Sequence, residues 1–168
     1  IYEVNRDRTI SLLVIGEEAI QDGFHIIGSH IDSPRLELKG RPLFEASEFA
    51  LFQTNYHGGI KYHQWTNLPL ALMGRIDKKD GTSIQVSVGL DTDDPIFMIP
   101  ELSPHVDRSR NSKTLADFIT PEDLDPIIGH IPGEDGGDIA DQVLAYLSQE
   151  YGVTRADLVS AELSLVPA

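Results

Sequence analysis

Between positions 82 and 90 the chain alternates apolar and polar residues with a period of two. Ile84, Val86, Val88 and Leu90 fall on one face, and Gln85, Ser87 and Gly89 on the other. That spacing fits an extended strand with one buried face. The pattern returns at the end of the chain, where Val159, Ala161, Leu163 and Leu165 alternate with Ser160, Glu162 and Ser164. A strand over 69–76 precedes the first run and joins it across Asp80-Gly81, a hairpin signal. Residues 9–15, the alternating Leu36 and Leu38, and residues 49–52 and 95–99 also read as strands, and the apolar run 24–29 reads as a buried one.

Helical pattern is scarcer. Asp138 is placed to cap a helix running to about Tyr151, with Ile139, Val143, Leu144, Leu147 and Tyr151 as its apolar stripe and Gly152 as its stop. Thr120-Pro121-Glu122-Asp123 reads as a second helix start. Residues 103–117 and 132–138 read as exposed loops. The expected fold class is therefore α+β and β-rich: a small closed or Greek-key, barrel-like body carrying one or two helices.

Charge narrows the function. Against 13 Lys and Arg stand 27 Asp and Glu, a net charge of −14 over 168 residues. Without a basic surplus to neutralise phosphates, neither nucleic acid nor an anionic membrane is an expected partner. No apolar run approaches the 18 residues that a spanning helix needs. There is no cysteine, so any metal must be held by His, Asp and Glu. The chain begins at Ile1 without a signal-peptide pattern and stops straight after a strand-like run. Both ends look cut, and a fragment of a longer, cytoplasmic protein is expected.

The densest chemistry lies in Gly28-Ser29-His30-Ile31-Asp32-Ser33-Pro34. At strand spacing His30 and Asp32 share one side, so His30 could bind a divalent metal while Asp32 fixes its tautomer or ligates as well. The same residues also suit a polar strand end entering an Asp-Ser-Pro turn. The second cluster runs from Tyr56 to Trp65 and holds His57, Gly58, Gly59, Tyr62 and His63. It reads either as a ligand-facing loop or as an aromatic strand with a glycine bulge. His25, His105 and His130 read as structural or solvated. Asp91-Thr92-Asp93-Asp94 reads as an acidic turn, lacking the glycine and distant Glu of a calcium loop.

These blocks, taken in order, resemble the aspartyl aminopeptidase / aminopeptidase I family, and most of all its bacterial branch. The similarity rests on Val14 to Glu18, Ser29 to Arg35, Tyr56 to Trp65 with Pro69 to Leu72, Ile99 to His105, and Ala161 to Ala168. The family comprises zinc metallo-aminopeptidases, hydrolases that carry two zinc ions per active site and remove N-terminal residues from peptides. Their α/β catalytic domain is interrupted by a β-rich insert used for oligomerisation.

The resemblance implies that His30 is a zinc ligand and that Asp32 orients it or tunes the metal. It implies that His63 reaches a neighbouring subunit's active site. Residues 1–45 would be a strip of catalytic domain, 46–160 the insert, and 161–168 a strand returning toward the catalytic domain. The family's other metal ligands and its catalytic Glu fall after Ala168, so this chain alone is expected to be inactive. The expected partners are a peptide substrate and further copies of the chain, as a dimer building block and up to the family's dodecamer. The competing reading is a stand-alone oligomerisation module without catalysis. A stand-alone acidic metal-binding protein would rest only on the charge and the six histidines.

Overall fold

The computed structural model describes residues 1–6, 8–31, 33–132 and 137–168. It divides into two compact units, Ile1–Ile31 and Asp32–Ala168.

In the first unit, β1 (Tyr2–Asn5) and β2 (Thr9–Leu12) form an antiparallel hairpin with Tyr2 opposite Leu12. The run 24–29, expected as a buried strand, has no regular structure and is exposed. A strand needs ladder partners, and within this unit only β1 and β2 pair among the described residues. Every described residue of the unit is exposed, including Val14, Phe24, Ile26 and Ile27.

The second unit is built on six antiparallel strands: β3 (Arg35–Ala46), β4 (Phe49–His57), β5 (Leu70–Asp77), β6 (Ser83–Val88), β7 (Ile127–Gly129) and β8 (Ala161–Pro167). Their order is β6-β5-β8-β3-β4-β7. The hairpin over Asp80-Gly81 forms as expected, with the Thr82 amide and hydroxyl both donating to the Asp80 carboxylate.

The closed barrel does not form among the described residues. No continuous ladder joins β7 back to β5. The segment 95–99, expected as a strand, makes isolated bridges at Phe97 with Leu70, Met98 with Ile127 and Ile99 with Thr66. It crosses the gap too briefly to count as a strand.

The run in β6 alternates as its period demands, whereas in β8 Ser164 is buried along with Leu163 and Leu165. Val86, Val88, Leu163 and Leu165 are buried, together with Leu36, Phe52, Leu70, Leu72 and Ile76. Leu90 and Val159 were expected on the same inner faces and are exposed, because each lies outside its strand.

The helix α2 spans Ile139–Tyr151, after the four-residue α1 (Leu115–Phe118). Ile139 and Leu147 of its stripe are buried, and Val143, Leu144 and Tyr151 are half-buried. Gly152 ends it at φ 60°, a left-handed turn that suits glycine. Asp138 makes no side-chain capping bond. Instead Glu45 on β3 accepts the Ala140 amide at 2.6 Å, so a strand carboxylate caps the helix start.

Thr120 to Asp123 forms only a 3-10 turn, at Pro121–Asp123. Its Asp123 carboxylate accepts the Thr120 amide and hydroxyl at 2.8 and 2.9 Å and Arg110 at 2.9 Å. Burial works against the Asp123 charge, but the Thr120 and Arg110 bonds outweigh it and hold the carboxyl below its ordinary value. The folded pKa is thus below the unfolded one. The bonds stabilise the fold above about pH 4 and lose that contribution as pH falls through the folded value. Asp123→Asn should cost about 1 kcal/mol at pH 7, and urea melts should show the gap to wild type closing at the acid end.

Candidate functional site

β4 ends at His57 and the chain turns through Gly58 and Gly59 into a 3-10 turn, Tyr62–Gln64. Trp65 fixes the turn from below: its side chain is buried and its amide donates to the Tyr62 carbonyl at 3.0 Å. Thr66 fixes it from the side, its hydroxyl lying 3.0 Å from the His63 carbonyl and 3.1 Å from the Glu101 carboxylate. His63 is left half-exposed on this turn. The Tyr56 and Tyr62 rings meet at 5.0 Å. The hydrogen bond between them, ahead of burial, raises the Tyr62 hydroxyl above its ordinary pKa.

Beside this turn lies a charged network that the sequence reading passed over. Arg35 stands opposite His57 across the β3–β4 ladder. Its guanidinium donates to Glu37 Oε1 from Nε and Nη2, at 3.0 and 2.7 Å, and from Nη1 to the Ser33 carbonyl at 3.0 Å. The other Glu37 oxygen lies 3.8 Å from His57 Nδ1. The signal in the sequence was the i, i+2 spacing of Arg35 and Glu37, which puts both on one strand face.

The other predicted site residues are His30 and Asp32. His30 lies in the first unit and is exposed. Asp32 lies outside the described residues. Among the described residues no group of three or more His, Asp or Glu could hold a metal ion. Zinc sites use three or four protein ligands.

The apolar and aromatic residues from Phe49 to Trp65 divide between core and surface. Phe52 and Trp65 belong to the core, because β4 alternates and Trp65 anchors the turn. Phe49 and Tyr56 are exposed, and Leu51 and Tyr62 are half-buried.

The family model for aminopeptidase I zinc metalloproteases, M18, matches residues 1–168. A Clostridium acetobutylicum protein named "Probable M18 family aminopeptidase 1" is 42% identical over 171 residues, and its Thermotoga maritima counterpart is 39% identical over 170. Each match covers 100% of this chain and 37% of the relative. The crystal structure of aminopeptidase I from C. acetobutylicum superposes with a TM-score of 0.80 at 42% identity, covering 92% of this chain and 34% of that one. The T. maritima M18 aminopeptidase structure gives a TM-score of 0.76, also at 42% identity, covering 82% of this chain and 31% of that one. This chain, spanning little more than a third of those relatives' length, belongs to the M18 family of aminopeptidase I zinc metalloproteases.

Proposed function

We propose that the intact protein is a cytoplasmic, zinc-dependent aminopeptidase that hydrolyses N-terminal residues from peptides, and that this chain is one segment of it. The family match over the whole chain carries this reading. The start of the chain would be part of a catalytic domain, supplying His30, in the first unit, as one zinc ligand and Asp32, at the first residue of the second, as the residue that orients it. Two zinc ions would polarise the scissile carbonyl and activate water. The remaining ligands and the catalytic Glu would come from the part of the relatives' length that this chain does not span.

The second unit is read as the inserted domain. Leu36 near the start of β3 lies opposite Leu165 near the end of β8. The two ends of the unit are therefore side by side, the arrangement that lets a domain be inserted into another. β3 and β8 are interior strands of this sheet, so an insert drawn on packing includes residues 35–46 and 161–167 as well as 46–160. The insert would also assemble copies of the protein, with exposed Phe49 and Tyr56 available for contact.

The test is hydrolysis of aminoacyl arylamides, with and without a zinc chelator. The intact protein should be active and lose activity to the chelator, and the 168-residue chain should be inactive. Activity in the isolated chain, or chelator-resistant activity in the intact protein, would overturn the reading.

His63 should act on the reaction rather than on the fold. In the intact protein His63→Ala should lower kcat at least tenfold, while thermal unfolding shifts by less than about 1 kcal/mol, as expected for a half-exposed side chain. A loss on the scale of a core truncation, about 2–5 kcal/mol, would make His63 structural.

A further inference from the structure

At the end of the sheet away from Arg35 and Pro167 lies a groove of about 760 Å³. Its floor is apolar, with Leu43, Leu158 and the exposed Val159. Three cations border it from three separate elements: Arg41 on β3, Lys79 in the β5–β6 turn and Arg155 after α2. The strand irregularity between Leu38 and Leu43 places the first of these. Four residues of β3 there face a single residue of β4, and a bulge of this kind re-aims side chains. In a chain with 27 acidic residues against 13 basic ones this convergence of three cations stands out, with Asp157 as the acidic group that faces Lys79. Arg155 is met by Asp141 at 3.2 Å, but both side chains are more than half exposed, so that pair is weak and exchangeable.

At the other end of β6 stands a segment of complementary character. Leu90 and Ile96 are exposed and enclose Asp91, Thr92, Asp93 and Asp94. The loop is already shaped: the Asp94 carboxylate accepts the Gly89 amide at 2.9 Å, and the Asp94 amide donates to the Asp91 carbonyl at 3.1 Å. That leaves the exposed Asp91 and Asp93 carboxylates between two exposed apolar side chains. An ordered loop loses less entropy on docking than a disordered one.

We propose that the groove receives the 90–96 loop of a second copy of this chain, with Asp91 and Asp93 meeting Lys79, Arg41 and Arg155 while Leu90 and Ile96 cover the apolar floor. The proposal rests on the reading that the protein self-associates and assigns one contact of that assembly. Groove and loop sit at opposite ends of β6, so each copy offers both halves and contacts can close a ring or a symmetric pair. Attraction between opposite charges is screened by salt, so this contact weakens as ionic strength rises. An association driven by apolar surface alone strengthens instead, because salt screens the −14 repulsion.

The experiment measures the mass of the intact protein by light scattering and sedimentation, at low and high salt. Lys79→Glu and Asp93→Lys should each weaken self-association at least tenfold, and mixing the two variants should restore it, because the reversed groove then meets the reversed loop. Restoration also shows that both variants fold. Arg155→Glu gives a second reversal of the groove and should behave like Lys79→Glu. If the wild type associates and all three variants match it, the groove contact is overturned while self-association stands. If the wild type is monomeric in every condition, both readings fall together.

Discussion

Replacing His30 by alanine in the intact protein is expected to abolish peptidase activity, with kcat/KM falling by a factor of a thousand or more and zinc content dropping by at least one ion per subunit. A catalytic zinc is typically held by three protein groups, so losing one neutral imidazole would remove geometry and affinity together. His30 is exposed in the first unit, so its removal costs this chain no core packing and the fold should keep its thermal stability. The isolated 168-residue chain makes the complementary case. Among its described residues no set of three ligands gathers, so titration with zinc in a calorimeter should show no specific uptake. Stoichiometric, sub-micromolar binding that disappears in His30→Ala would mean that this chain completes a site unaided. Full activity in intact His30→Ala would remove His30 from the metal altogether.

The second large effect is expected at Gly74. This residue sits in β5 with β6 on one side and β8 on the other, and its φ is +145°. A Cβ added there would lie 2.1 Å from the Glu162 carbonyl oxygen and 3.0 Å from the Leu163 Cα. Both are backbone atoms of an interior strand, so neither can swing aside as a side-chain tip would. Backbone strain and overpacking each cost about 1–3 kcal/mol, and together Gly74→Ala should lose roughly 2–6 kcal/mol. A domain of ordinary stability holds only about 5–15 kcal/mol, so this one methyl should remove a large fraction of the second unit's stability and move its denaturant midpoint sharply down. Gly81→Ala separates the two causes. Gly81 also has positive φ, at +86°, but its Cβ would meet nothing within 4 Å. It should show the strain alone, about 1–3 kcal/mol. Equal losses at the two positions in denaturant melts would mean that the β8 backbone does not confine Gly74.

Local chemistry explains what could be read directly from the residues. A period of two marked β6 and β8, Asp80-Gly81 marked the turn, and a stripe ending at Gly152 marked α2 to the residue. Each depends on neighbours within a few positions, so each is written in the order of the residues. The β3–β4 hairpin was harder for the opposite reason. Its two-residue turn is Ser47-Glu48, both at positive φ without a glycine. The usual hairpin signal is absent, and the expected domain boundary between Glu45 and Ala46 falls in the last residues of β3, just before this turn.

Only tertiary structure decided the rest. Closure of the sheet depends on whether distant segments find long enough partners, and the expected strand 95–99 makes isolated bridges only at Phe97, Met98 and Ile99. Glu45 caps a helix that starts at Ile139, far along the chain. Phe52 and Trp65 are core and Phe49 and Tyr56 are surface, although all four read alike as aromatic residues in one segment. Membership of the M18 family was legible in the order of the short blocks. The groove bordered by Arg41, Lys79 and Arg155 was not, since it joins three residues that come together only when β3 bulges and the chain folds back along β8. Sequence spacing carries local geometry. Long-range packing chooses among the surfaces that this geometry allows.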